Sequence, residues 1–283
     1  MSSTPEGKRS AGRDDPELDA GSRAHYEDPV YYTSNYRRRI DDVQYYVTLA
    51  TKNGGPMLEY GVGNGRIALP VARHGVAVTG VDQSRAMLGD LRERIKLERE
   101  EVRRRLTLRF GDMRAVRTKA RFPLVICPFN TALHLYTRDD VERFLARARA
   151  HLAPGGTFVV DLAVPSFIDL MRDPNRGFRG ANFRHPTTGD IVRYAERFDY
   201  DCIRQVLFVS TDFEPIGRPD DGWMLPLAHR QFFPQEWEAL LHYNGFTVDE
   251  VYGDFHGGPL TRTSDVMVWH ARARRGFRAT SRR

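Results

Sequence analysis

The chain has 283 residues, of which 41% are hydrophobic and 28% charged, and its formal net charge is +6. That length suits one large domain or one domain with an insertion, and no run of about 18 apolar residues is present to span a membrane. The two cysteines, Cys127 and Cys202, stand far apart, which excludes a disulfide framework and fits a reducing cytoplasm. Residues 1–24 are polar, rich in charge and free of an apolar signal core, so an unstructured tail is expected there. From Asp28 to Gly54 the apolar and aromatic positions Tyr36, Ile40, Val43, Tyr46 and Val47 recur at helical spacing, and Asn53-Gly54-Gly55-Pro56 ends the run.

From Pro56 the pattern alternates. PMLEYG, VAVTGVD, LTLRFGD, FPLVICPF and TFVVDLA are short apolar runs read as strands. Between them GRIALPVARHG, SRAMLGDLRERIKLEREEV and RDDVERFLARARAHLAPGG read as amphipathic helices, the last with a glycine stop. Strands alternating with helices predict a parallel sheet covered on both faces. After Pro165 the rhythm changes. DIVRYAERFDYD, IRQVLFVSTDFEP and GWMLPLAHRQFF read as strands without helices between them, an antiparallel insertion laid over the main sheet. PQEWEALLHYNGF is a further helix, and FTVDEVYGDF and SDVMVWHARA complete the sheet as a hairpin-like pair. The expected organisation is a tail over 1–24 and one domain over 25–272, then a basic tail over 273–283. Within the domain lie a helical lid over 25–55, a core over 56–163, a β insertion over 164–233 and a closing helix with two strands over 234–272.

The glycine loop LEYGVGNGR places Gly61, Gly63 and Gly65 at the carboxyl end of the first strand, where open parallel sheets bind ligands. A dinucleotide fingerprint needs its third glycine where Arg66 stands, and no Gly-Lys-Ser/Thr follows to make a phosphate loop. Glu59, two residues before Gly61, would repel a pyrophosphate and suits a ligand carrying an ammonium. Asp82 lies about 20 residues past the loop, the place of a carboxylate that grips ribose hydroxyls. Asp112 ends the third strand and offers an acceptor for the exocyclic amine of adenine. No closely spaced cysteine pair is present, and the nine histidines are scattered without a ligand spacing such as H-x-x-x-H, so no metal is expected.

With MLEYGVGNGRIALPVA, GVDQSRAML, FGDMR, VICPFNTALHL and ARAHLAPGGTFVVDL in this order, the chain resembles the class I S-adenosylmethionine-dependent methyltransferases, in their small-molecule branch. The resemblance implies a Rossmann-like α/β fold, a seven-stranded sheet with one antiparallel strand and helices on both faces. Here the antiparallel insertion would act as a cover, similar in outline to that of amino-sugar N-methyltransferases. It implies S-adenosylmethionine as cofactor, with Glu59, Gly61, Gly63 and Gly65 around its methionine end and Asp82 and Gln83 at the ribose. Met87, Asp112 and Met113 would lie against the adenine, and Asn130 would face the methionine end. Tyr26, Tyr36 and Arg39 would close the lid, Arg39 pairing with the cofactor carboxylate.

Methyl transfer from a sulfonium needs alignment and exclusion of water more than it needs a catalytic triad. A base is required only where the acceptor must lose a proton. His134 and Asp161 are the candidates, with Arg230 and Asp254 as substrate contacts and His229 and His256 behind them. The position after the fourth strand reads CPFN, without the polar residue and second proline expected for amino methylation of nucleic-acid bases. A cytoplasmic enzyme acting on oxygen or nitrogen of a small-molecule acceptor is expected, with neither a membrane nor a nucleic acid as partner, and with the β insertion offering a homodimer edge. The alternatives are an RNA or protein methyltransferase anchored by the basic tail, and a cofactor-binding module without turnover. A nicotinamide dehydrogenase stands last, against Glu59 and Arg66.

Overall fold

The computed structural model describes residues 15–277. In chain order the elements are α1 (Pro16–Arg23), α2 (Pro29–Tyr36), α3 (Asp41–Asn53), β1 (Met57–Tyr60), α4 (Ala68–Arg73), β2 (Val78–Asp82), α5 (Arg85–Lys96), α6 (Glu100–Arg103) and β3 (Leu106–Phe110). Next come β4 (Phe122–Cys127), α7 (Arg138–His151), β5 (Leu152–Ala163), α8 (Phe167–Leu170), β6 (Phe178–Arg179), β7 (Phe183–Arg184), β8 (Ile191–Asp201) and β9 (Val206–Pro215). The chain closes with β10 (Trp223–Arg230), α9 (Pro234–Tyr243), β11 (Phe246–Tyr252) and β12 (Val266–Ala273). Short 3₁₀ turns at Ala24–Tyr26 and Thr131–His134 both bear on the site.

The main sheet has the order β11-β12-β5-β4-β1-β2-β3. β1 to β5 pair in parallel, and β12 alone runs against its neighbours β5 and β11. The expected seven-stranded fold with one antiparallel strand is therefore present. The pleat divides the core between the two faces: Leu58, Tyr60, Val125 and Phe158 pack with Phe144 and Trp237 on one side. Met57, Leu124, Ile126 and Val159 pack with Tyr46, Val71 and Leu91 on the other. Both faces are apolar because both carry helices, which is why β1 is buried at all four residues. Strand order reverses between β1 and β4, so the loops leaving their carboxyl ends diverge and open a crevice.

The insertion forms a second antiparallel sheet, β10-β9-β8-β6, with β7 also on β8. Its own core gathers Val192 and Phe213 with Tyr31 of α2. Its other side receives α1: Leu18 is buried with Val206, Phe208 and Ala228. A Cβ added at Gly21 would stand 2.5 Å from that of Ala228, so a glycine is what lets α1 lie on β10.

Four local expectations are corrected. The stretch expected as an unstructured tail holds α1, capped by Asp15 with Pro16 opening it; residues 1–14 lie outside the described residues, as do 278–283 of the expected basic tail. The helix expected from Asp28 to Gly54 is two. Arg39 is drawn out of the ladder, its carbonyl accepting from the Arg66 guanidinium at 3.1 Å. The long helix after Ser84 also breaks, at Leu97–Arg99, where Glu98 turns to the Arg73 guanidinium at 3.0 Å. Ala153-Pro154-Gly155-Gly156 is a bulge at the start of β5 rather than a helix terminus, and the β4–β5 register shifts there. Among the described residues no helix is long and apolar enough to cross a membrane.

Gly65 shows how the loop is locked to the core. Its φ is +84°, and a Cβ would meet Leu91 Cδ1 at 2.4 Å. Gly65→Ala is expected to lower the unfolding free energy by about 1–3 kcal/mol, from the left-handed backbone and the clash with α5. Urea unfolding checks this; an unchanged midpoint contradicts it.

Candidate functional site

The crevice at the carboxyl ends of β1, β2, β3 and β4 is a cavity of about 810 Å³, within the range of small-molecule sites. Its floor comes from the glycine loop. Gly61 has φ +65°, and a Cβ there would press into Thr131 at 2.4 Å, so backbone alone fits against the loop after β4. The Gly63 N–H donates to the Asp82 carboxylate at 2.7 Å, and the Ser84 N–H donates to its other oxygen at 2.7 Å. Asp82 thus joins the glycine loop to the start of α5. Burial raises its pKa, against the pull of these backbone donors.

Of the residues singled out by sequence, Tyr26, Gly61, Gly63, Asp82, Gln83, Met87, Asp112, Met113 and His134 line this cavity. Asp112 is already engaged: Arg114 donates to both its oxygens, at 3.0 and 2.9 Å from Nε, and reaches Asp140 at 2.6 Å. Those hydrogen bonds hold the Asp112 carboxyl below its ordinary range, although burial opposes them.

Glu59, Gly65, Tyr36, Arg39 and Asn130 are outside the lining. Glu59 is 2% exposed, and its Oε2 has no hydrogen-bond partner among the described residues. Burial drives its pKa well up, with Arg66 opposing and Asp82 and Asp42 adding to the rise. Tyr36 bonds His25 Nε2 at 2.9 Å. Arg39 is exposed, its guanidinium 5.8 Å from the Tyr36 ring centre. Arg66 holds the more enclosed position: it donates to buried Asp42 at 2.9 Å and lies 4.1 Å over the Phe129 ring. Asn130 Oδ1 accepts from the Ala163 N–H at 2.6 Å and so pins β5 to the loop after β4.

Asp161 is corrected as a candidate base. It is 2% exposed, does not line the cavity, and accepts from Tyr46 Oη at 2.6 Å and from the Phe129 N–H at 2.9 Å to each oxygen. Arg230 and Asp254 are corrected as substrate contacts, because neither lines the cavity. Arg230 is paired with Glu236 at 2.7 Å and with Gln205 at 2.6 Å. Asp254 caps its own loop through the N–H groups of His256 and Gly258, and the same bonds lower its pKa. His229 is enclosed behind His134, with ring centres 5.1 Å apart and Nε2 unpartnered, while the His256 side chain is exposed on the Asp254 loop.

The cavity roof was not legible. One side of α1 supplies Asp15, Leu18, Asp19, Ser22 and Arg23, which fall at i, i+3, i+4, i+7 and i+8. Tyr32, Phe129, Thr131 and Tyr136 complete the wall. The Asp15–Pro16 cap signature was the available signal for α1. The others become neighbours only through the tertiary fold.

Around His134 the hydrogen bonds have one direction. Tyr136 Oη donates to the Ala228 carbonyl at 3.0 Å, so it can only accept from His134 Nδ1, 3.2 Å away. A neutral imidazole protonated at Nδ1 leaves Nε2 as acceptor, and the Tyr26 hydroxyl donates to it at 2.7 Å. Burial lowers the His134 pKa to about 4, with His25 adding to the fall, so the ring is neutral near pH 7. Burial also brings His25 to about 4, and it lowers His229 well below the ordinary value. The Tyr26 phenol is pushed up, first by burial and then by Tyr32, Tyr36, Tyr136 and Asp82, and stays protonated. No group of three or more His, Cys, Asp or Glu side chains among the described residues could hold a metal.

Comparison with known proteins agrees with this architecture. Residues 57–156 match the family model described as a methyltransferase domain. Over 80 residues the chain is 38% identical to a phosphatidylethanolamine N-methyltransferase of Cereibacter sphaeroides; the match spans 28% of this chain and 39% of that protein. The CcbJ methyltransferase of Streptomyces caelestis superposes with a TM-score of 0.75 at 24% identity, covering 89% of this chain and 99% of that one. CalS10, an amino pentose methyltransferase from Micromonospora echinaspora, gives 0.62 at 21% identity, covering 85% and 95%. The resemblance drawn from the five motifs is borne out, and the structural likenesses extend the same fold through the insertion.

The neutral histidines make stability pH-dependent. His25 and His134 bind protons more readily unfolded than folded, so unfolding stability rises with pH between about 4 and about 6.5 on their account. The expected outcome is that His25→Gln flattens the fall in melting temperature from pH 6.5 to 4.5; an identical pH slope contradicts the assignment.

Proposed function

We propose that this chain, which carries a methyltransferase domain over residues 57–156, transfers a methyl group from S-adenosylmethionine to a nitrogen of a small-molecule acceptor. The observation that carries the reading is the set of acceptors at the β termini around one cavity: Asp82, Asp112 and, under the loop, Glu59 with an oxygen lacking a partner. A buried carboxyl oxygen without a partner is costly; burial favours the protonated form of Glu59, and an ammonium ligand beside it would draw it into the ionised form. Asp82 would hold ribose hydroxyls, Gln83 would flank them, and Met87 and Met113 would pack against a purine. Gly61 and Gly63 would let the backbone approach the methionine end. Arg66 and Arg39 supply positive charge near the Phe129 ring, where a carboxylate would be held.

When bound, the cofactor supplies an electrophilic methyl group on a positively charged sulfur. The chain has to aim the acceptor and exclude water. α1, the Ala24–Tyr26 turn and α2 close the cavity, tied down by the bond from Ser84 Oγ to the Tyr26 carbonyl at 3.2 Å. Tyr26 Oη spends its proton on His134 Nε2, so its remaining lone pair is free to accept from an acceptor N–H and direct the nitrogen lone pair at the methyl group.

The weak basicity that burial gives His134 favours nitrogen over oxygen. Moving a proton at pH 7 onto an imidazole with a pKa of about 4 costs roughly 4 kcal/mol. An amine attacks through the free base that forms once its ammonium has lost a proton to water, whereas a neutral alcohol needs its proton removed by a base as it attacks. Tyr26 and His134 therefore orient the acceptor. The cavity of about 810 Å³ has room for an acceptor beside the cofactor, and the polar stripe of α1 suits one that carries hydroxyls or charge.

Asp82→Ala is expected to weaken S-adenosylmethionine binding by about 1–3 kcal/mol through lost charged hydrogen bonds; an unchanged calorimetric titration sinks the ribose assignment. Tyr26→Phe is expected to reduce kcat about 10–100-fold with an amine acceptor and to leave cofactor affinity within about threefold. Cofactor bound with no turnover across a panel of amino sugars and other small amines would instead favour a binding module.

A further inference from the structure

The loop after β4 has a backbone conformation that its neighbours must support. Phe129 and Asn130 have φ of +55° and +63°, two consecutive residues with side chains in the left-handed region. They hold that shape because their polar groups are claimed from β5. The Phe129 N–H donates to both oxygens of Asp161, and Asn130 Oδ1 accepts from Ala163. The bend turns the Phe129 ring and Thr131 into the cavity wall and sets the ring under the Arg66 guanidinium. The same Asp161 carboxylate accepts from Tyr46 Oη of α3, the helix whose Asp42 holds Arg66. One buried carboxylate thus touches both the cavity-lining bend and α3, the helix whose Asp42 holds Arg66.

We infer that Asp161 is a positioning residue whose ionised carboxylate holds the Phe129–Thr131 bend and α3 in the arrangement that binds the cofactor, so that cofactor affinity falls when this carboxylate is protonated. The inference rests on the functional reading above. A carboxylate supplies acceptors to Phe129 N–H and Tyr46 O–H together. Protonation turns one of its oxygens into a donor, which leaves a strained N–H without its charged partner. Burial raises the Asp161 pKa to about 6, with Asp42 adding to the rise while Tyr46, the Phe129 N–H and Arg66 oppose it. The other titratable groups facing it are Tyr45 of α3 and Cys127 of β4. Both are pushed up by burial and are uncharged in this range; Glu59, raised by burial beside the same Arg66 and Asp42, also takes up protons, so the ratio of wild type to an Asp161 variant is the quantity that isolates Asp161.

The test measures the dissociation constant of S-adenosylhomocysteine by calorimetry between pH 5 and 8, for the wild-type chain, Asp161→Asn and Tyr46→Phe, with circular dichroism to establish folding. At pH 8 Asp161→Asn is expected to bind about five- to tenfold more weakly than wild type, and the ratio is expected to shrink toward one at pH 5, where both carry an uncharged group. Tyr46→Phe removes a donor that favours the carboxylate, so the midpoint of its affinity profile is expected to move to higher pH. A ratio that stays constant across the range describes a merely structural side chain and overturns the inference, as does equal affinity at pH 8. Should Asp161→Asn fail to fold, an unshifted midpoint in Tyr46→Phe overturns it alone. Wild-type protein that binds no S-adenosylhomocysteine at pH 8 refutes the functional reading instead, which separates the two failures.

Discussion

The reversal of strand order between β1 and β4 is the constraint from which the rest follows. To one side of that point the chain steps outward through β2 and β3, and to the other through β4 and β5. The loops leaving the two central strands approach each other where Gly61 meets Thr131 and then run apart, and a crevice stays open above them. Everything placed there is placed by strand termini: the glycine loop after β1, Asp82 at the end of β2, Asp112 past β3 and the Phe129–Thr131 bend past β4. Parallel strands under two helical layers make a rigid frame, so these side chains are held to it by only a residue or two of loop each.

Above the frame, closure depends on polar ties as much as on apolar burial. Asn64 of the glycine loop donates to Thr33 of α2 at 2.7 Å, and Arg94 of α5 donates to the same hydroxyl at 2.7 Å. Ser84 holds the Tyr26 carbonyl, and Arg66 ties the end of the α2–α3 connection to Asp42. Few large apolar contacts bind α2 to the Rossmann-like core, and such segments open at lower free energy than a core strand. The second sheet does the heavier packing from the other side, through Tyr31 against Phe213 and through α1 against Ala228.

The chemistry of the cavity is shaped by burial. His25, His134 and His229 are enclosed, and burial lowers the pKa of each, so they are neutral near pH 7. Neutrality gives His25 and His134 directional hydrogen bonds in place of charge. Tyr26, His134, Tyr136 and the Ala228 carbonyl form a connected run of hydrogen bonds. A site beside a sulfonium gains from groups that orient a nucleophile without adding a competing positive charge.

The sequence alone determined the alternation of strands and helices, the glycine loop, Asp82, Asp112 and the antiparallel insertion, because each is a local pattern: period, spacing, or a residue type at a strand end. It also placed His134 correctly beside the crevice. What it could not determine were partners. Asp161 reads as a free strand-end carboxylate until α3 brings Tyr46 and the β4 loop brings the Phe129 N–H to it. Arg230 reads as a free cation until Glu236 and Gln205 fold against it, and α1 reads as tail until β10 gives Leu18 and Gly21 a surface. These assignments turn on contacts between residues far apart in the chain, and burial, which decides whether a carboxylate is a base or a brace, exists only once those contacts are made.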